Sequence, residues 1–263
     1  MQRNRTRVKL AKGEPVLGCF LRYPDAGLAE LLALQGLDFV VFDGEHGTLT
    51  PHACEHLVRA VQLHGVTPVV RVEENRAASI LRYLDAGALA CHVPGIASRG
   101  DAIRAVRAVK YRPEGDRGLA ASRASGYGAS GRYADYIAEA NRETQVIVHI
   151  ESAAGVDAVG EIAAVDGVDV LLVGALDLSH DLGHAGAVEH PEVVAAAQRV
   201  ADAAAASGKV LGAVAGDATS VQAWIDRGAR YVLSTVEAFV TAGAERFLAG
   251  GRVPQSRREE LEC

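Results

Sequence analysis

Six times along the chain a glycine closes a helix-like stretch and a short apolar run follows within a few residues. The instances are QGLDFVVFD, HGVTPVVRV, DAGALACHVP, VDGVDVLLVG, SGKVLGAVAG and RGARYVLST, with the glycines at Gly36, Gly65, Gly87, Gly167, Gly208 and Gly228. Glycine is favoured just past a helix because the chain there often turns through positive φ. The runs that follow are apolar or β-branched on nearly every residue. That pattern fits strands buried on both faces, as in a parallel sheet covered by helices.

Two more strand signals lack the glycine lead-in, VLGCFLR (16–22) and QVIVHIE (145–151). Helical segments are expected near 25–35, 51–63, 76–86, 98–109, 132–141, 153–164, 191–207, 217–227 and 235–249. Alternating units on this scale, about 250 residues for eight, predict an α/β fold of the (β/α)8 TIM barrel kind, with 235–249 as an extra C-terminal helix. A doubly wound dinucleotide-binding sheet would show GxGxxG after an early strand, and none is present. No linker stands out, so 1–263 is read as a single domain with its core at about 14–248. The stretch 111–131, YRPEGDRGLAASRASGYGASG, breaks the rhythm, and long irregular loops of this kind are usually functional or disordered.

Composition narrows the functional classes. A 263-residue chain that is 49% hydrophobic buries enough apolar surface to need no disulfide staples. Cys19, Cys54, Cys91 and Cys263 are scattered, which fits reduced thiols and a cytoplasmic location better than a zinc site. Net charge is −6 and aromatics are 5%, so no nucleic acid partner is expected. The basic start MQRNRTRVK runs into AKGEP rather than an apolar stretch, so it is not read as a signal peptide but as a frayed, solvated terminus. No run reaches the roughly 18 apolar residues of a membrane span. The tail 251–263 is expected to be polar and flexible.

In a (β/α)8 barrel the site lies where the strands end. The residues there are Arg22, then Asp43, Glu45 and His46, then Arg71, His92, His149 with Glu151, and Asp177. Glu151 and Asp177 suit a hard divalent ion, or each caps the helix that follows it. Arg71 can grip a carboxylate with two parallel hydrogen bonds, pair with Asp43 or Glu45, or do both. His46 has the chemistry of a general base. Asp85, in LDAGA, reads most simply as a solvated or capping acid. Lys12, Lys110 and Lys209 end no strand, so no Schiff-base lysine is expected.

The runs FDGEHG (42–47), VVR (69–71), LDAGA (84–88), YRPEGDRG (111–118), HIES (149–152) and GALDLSHDLG (174–183) resemble the HpcH/HpaI aldolases, in the same order, over residues 14 to 248. The resemblance implies a phosphoenolpyruvate/pyruvate-type barrel and a metal-dependent class II pyruvate aldolase. It implies that Glu151 and Asp177 hold Mg²⁺, Mn²⁺ or Co²⁺, and that the ion chelates a pyruvate unit. Arg71 would hold the keto oxygen and stabilise an enolate, and His46 would carry the proton. Asp85 would pair with His46 from a neighbouring subunit, which implies a homo-oligomer, a trimer or hexamer with sites near its interfaces. Backbone around Gly174, Ala175 and Leu176 would bind the pyruvate carboxylate. The second partner would be an aldehyde.

Three departures bear on the substrate. The family usually has Gln at His149 and Pro at Ala175, and often Asp near Glu237. His149, on the same side of its strand as Glu151, could touch substrate or metal. Oxaloacetate decarboxylation, or C–C bond formation as a lyase or synthase, is the alternative reading.

Overall fold

The structure is a computed structural model that describes residues 2–129 and 131–251. The tail expected at 251–263 lies, past Gly251, outside the described residues. Eight parallel strands close into one barrel in chain order. They are β1 (Val16–Leu21), β2 (Phe39–Asp43), β3 (Thr67–Arg71), β4 (Ala90–Val93), β5 (Gln145–Ile150), β6 (Val170–Val173), β7 (Val210–Val214) and β8 (Ala229–Thr235). Each coincides with a strand read from the sequence. The six glycines that flagged them all turn through positive φ, from 69° at Gly208 to 109° at Gly87.

Alternation sorts each strand's side chains. One set fills the barrel interior: Val16, Phe20, Phe39, Val41, Val69, Ala90, Ile147, Val170, Leu172, Tyr231 and Leu233. The other set packs on the helices, for example Val40, Phe42, Val70, Val148 and Leu171. Burying one such large side chain stabilises by about 1.5–3 kcal/mol, so an apolar residue is favoured at nearly every strand position. Gly18 is an interior exception with a reason. A Cβ there would lie 2.4 Å from the Phe39 ring, and Phe39 in turn stacks on Tyr231, with centroids 4.2 Å apart.

The amino end corrects the expectation of a frayed terminus. Arg5–Ala11 forms helix α1, capped by Asn4, whose side chain accepts from the Arg7 amide. Asn4 is fully buried. Its Nδ2 donates to Leu89 O, Glu143 O and Gln145 Oε1, and its amide donates to Glu143 Oε2. Thr6 bonds Thr67 Oγ1 at 2.9 Å, and Leu10 joins the interior cluster. These partners lie where β3, β4 and β5 begin, so α1 closes the end of the barrel opposite the strand-end residues.

The expected helix at 153–164 is two short ones, Ala153–Asp157 and Val159–Ala163. A short helix that the sequence reading lacked follows β6 and spans Ala175–Asp181. The helix after β8, Val236–Ala249, buries only Val236. The 111–131 stretch is tied down by its arginines. Arg117 bonds Asp85 at 2.8 Å and lies over the Tyr111 ring. Arg123 bonds Ala86 O and Gln62 Oε1.

Candidate active site

The strand ends gather the ionisable residues at one mouth. Asp43 is the last residue of β2 and is fully buried. Its Oδ1 accepts from the amides of Glu45 and His46 at 3.1 and 3.2 Å, so the acid folds its own loop. The glycines of FDGEHG make that loop tight. A Cβ on Gly47 would fall 2.3 Å from Asp43 O, and one on Gly44 would fall 2.8 Å from Arg71 O.

Register sets Arg71 directly opposite Asp43. Arg71 donates Nε to Asp43 Oδ1 at 2.9 Å and Nη2 to Oδ2 at 2.5 Å. Its Nη1 lies 3.1 Å from Glu45 Oε2, and the guanidinium sits 4.3 Å over the Phe20 ring. Two of the five N–H donors are thereby used on Asp43 and Nη1 faces Glu45, so the guanidinium keeps donors for a ligand. Burial alone would raise the Asp43 carboxyl, but the Arg71 hydrogen bonds and charge, with the two amides, hold it below the usual range. Burial pushes Glu45 up, Arg71 opposes this, and the charge of Glu151 adds to it. Glu45 and Glu151 therefore feel each other across the mouth.

Glu151 follows β5. Its Oε1 accepts from Gly95 N at 2.6 Å, and its Oε2 lies 3.2 Å from His149 Nδ1. Burial opposes ionisation here, and the His149 hydrogen bond, the Gly95 amide and Arg71 outweigh it, so the carboxyl is held below its ordinary value. Next to it, Gly174 has no side chain to intrude. A Cβ there would lie 2.6 Å from Glu151 Cβ and 2.9 Å from its Oε2. Asp177 comes three residues later, in the first turn of helix Ala175–Asp181. Its carboxylate is exposed. The donor set is oxygen, which suits a hard divalent cation, and the bare Gly174 backbone leaves the space beside Glu151 open.

A second cluster, His184, His190 and Glu192, also brings three ligand atoms within 4.8 Å. Its two imidazoles are stacked, with centroids 3.4 Å apart. Stacked rings hold their in-plane lone pairs in parallel planes, which do not converge on one ion.

His46 is about half exposed, with Nε2 3.8 Å from Glu45 Oε2. Asp85 does not meet it within the chain; Arg117 takes Asp85 instead. His149 spends both ring nitrogens on protein, on Glu151 and on His92. The sequence offers four lysines, Lys9, Lys12, Lys110 and Lys209, and all precede a strand. Lys110 is buried on Asn141 O and Thr144 O, at the end of the barrel away from the mouth. The sequence reading missed Gly95, His92's partner Tyr231, and the ties of Arg117. Those partners are far apart in the chain and meet only in the closed barrel and its loops.

Among the described residues no helix is long and apolar enough to cross a membrane. The profile of the family described as HpcH/HpaI aldolase/citrate lyase matches residues 17–243. A 5-keto-4-deoxy-D-glucarate aldolase of Shigella boydii is 36% identical over 230 residues, covering 87% of this chain and 88% of the relative. A crystal structure of an HpcH/HpaI aldolase/citrate lyase family protein from Burkholderia cenocepacia superposes with a TM-score of 0.89 at 34% identity, covering 95% of this chain and 100% of the other. The citrate synthase SbnG gives 0.84 at 29% identity, covering 93% and 97%. On this evidence the chain belongs to the HpcH/HpaI aldolase/citrate lyase family and is a carbon–carbon lyase.

Proposed function

We propose that the protein cleaves a 4-hydroxy-2-oxo acid into pyruvate and an aldehyde, with a divalent ion held by Glu151 and Asp177. The observation that carries this reading is Glu151, kept ionised at the mouth beside the bare backbone of Gly174. When bound, the ion supplies Lewis-acid stabilisation of charge on the 2-oxo oxygen.

The chain's own residues divide the remaining work. The amides at the start of helix Ala175–Asp181, after Gly174, lack intrahelical acceptors and take the substrate carboxylate. N–H groups of Arg71 not used on Asp43 donate to the 2-oxo oxygen as negative charge develops there. His46 removes the 4-hydroxyl proton. The bond between carbons 3 and 4 then breaks, the aldehyde leaves, and the proton taken up by His46 is delivered to carbon 3, which completes pyruvate and restores the base. Asp85, held by Arg117, orients His46 of a neighbouring copy, so the active species is a homo-oligomer. His149 supports Glu151 rather than contacting substrate, because both its nitrogens are engaged.

The aldolase relative makes 5-keto-4-deoxy-D-glucarate the first substrate to try. The likeness to the citrate synthase SbnG favours a second reading, the same enolate chemistry used to form a bond. The test compares pyruvate release from 5-keto-4-deoxy-D-glucarate and related 4-hydroxy-2-oxo acids with CO₂ release from oxaloacetate, each with Mg²⁺, Mn²⁺ or Co²⁺. Aldol cleavage is expected. CO₂ release above the metal-only background, with no cleavage of any hydroxy-oxo acid, would replace the aldolase by a decarboxylase.

A further inference from the structure

Four polar side chains lie end to end through the barrel interior. Glu151 Oε2 is 3.2 Å from His149 Nδ1. His149 Nε2 is 2.9 Å from His92 Nδ1, and His92 Nε2 is 2.9 Å from the Tyr231 hydroxyl. His149 is 2% exposed, and His92 and Tyr231 are fully buried. The chain crosses from β5 to β4 to β8. It is rooted where Tyr231 stacks on Phe39, and Phe39 is seated by Gly18.

The hydrogens of this chain follow from its ends. An ionised carboxylate only accepts, so His149 donates from Nδ1. In a neutral ring the other nitrogen then accepts. His149 Nε2 therefore accepts from His92 Nδ1–H, and His92 Nε2 accepts from the Tyr231 O–H. The reversed chain would make the Tyr231 oxygen an acceptor. Its O–H would then be buried with no acceptor among the described residues, and an orphaned buried donor is costly. One direction satisfies every group. Burial, with Arg71 adding, also disfavours a charged His92.

We propose that His92 and Tyr231 are positioning residues that, through His149, fix Glu151 for the divalent ion. The proposal rests on the assignment of Glu151 as a ligand. With Oε1 held by the Gly95 amide and Oε2 by His149, each oxygen keeps one lone-pair direction for the ion. The N–H and O–H dipoles all point toward the carboxylate and polarise one another, so the last N–H binds more strongly than a lone imidazole would. Partners of ligating groups elsewhere contribute roughly 10–100-fold in metal affinity. This also gives a barrel interior otherwise filled with Val, Leu, Ile and Phe a reason to hold two imidazoles and a phenol.

Two measurements on the full chain decide the matter. The first is ¹⁵N NMR of histidine-labelled, metal-free protein, with His92 and His149 assigned by loss of signal in H92Q and H149Q. The hydrogen-bond chain calls for a proton on Nδ1 of each ring and an acceptor at each Nε2. Either ring protonated on Nε2 overturns the proposal.

The second is Mn²⁺ affinity by electron paramagnetic resonance. Tyr231→Phe keeps the stacked ring and removes the donor, and should weaken Mn²⁺ binding about tenfold. His92→Leu should weaken it at least as much. His92→Gln restores a donor and an acceptor, and should recover most of the loss. The His92 pair decides the question if Tyr231→Phe does not fold. Unchanged affinity in Tyr231→Phe, or in both His92 variants, overturns the positioning role. Glu151→Gln separates the two claims. If the wild type binds Mn²⁺ no better than Glu151→Gln, the ligand assignment itself fails. If Glu151→Gln abolishes binding and the other variants leave it intact, only the positioning role fails.

Discussion

At the residue scale, Asp43 organises the mouth without needing to touch a ligand. It accepts from both edges of Arg71 and from the two amides of its own loop. Removing one partner of a buried pair costs about 3–5 kcal/mol, because the other charge stays buried. Asp43→Asn should therefore destabilise the protein by an amount of that order. The folded-state carboxyl lies below its unfolded value. Its contribution is thus complete above about pH 4 and is lost as pH falls through the lower folded value. Urea unfolding between about pH 2.5 and 6 should show a steeper acid loss in the wild type than in Asp43→Asn; parallel curves would refute the linkage. Arg71→Lys keeps the charge but not the fork, and should lower kcat by about 10²–10³, the loss seen for one oxyanion donor, while metal affinity holds. Gly174→Ala should weaken metal binding by calorimetry, since its Cβ would press on Glu151. The acids, Arg71 and His46 were legible because each stands at or just past a strand end. The inward wiring of His149 was not, because its partner His92 is 57 positions away and Tyr231 lies 139 from His92.

At the element scale, the glycine-then-strand rhythm placed six of the eight strands, because each glycine marks a helix end by its φ, and β1 and β5 were legible from their apolar runs alone. Helix α1 escaped for the opposite reason. RTRVKLA is short, charged and only partly buried, and its order comes from Asn4 and Thr6 bonding strand starts far along the chain. Asn4→Ala should leave several buried partners unsatisfied and cost about 1–3 kcal/mol, read as a lower urea midpoint with an unchanged slope. No change would return the segment to a solvated end. Helix Ala175–Asp181 was hidden in the run GALDLSHD, which was read for its acid rather than its turn. That helix puts Asp177 one turn from Gly174, which the proposed ligand set requires.

At the scale of the whole molecule, the barrel separates stability from chemistry. One end is sealed by α1, and the interior is apolar apart from the buried His149–His92–Tyr231 chain, while Asp43, Glu45, Arg71, His46 and Glu151 gather at the other end. Within that end, Arg71 is fixed between Asp43 and Glu45, and Glu151 and Asp177 are the oxygen donors proposed to hold an ion. The central claim is that the ion is required for cleavage. Pyruvate release from a 4-hydroxy-2-oxo acid should vanish when the protein is fully stripped by chelation, and return on adding Mn²⁺ or Mg²⁺ to the wild type but not to Glu151→Ala or Asp177→Ala. Cleavage that persists after complete metal removal would contradict the account.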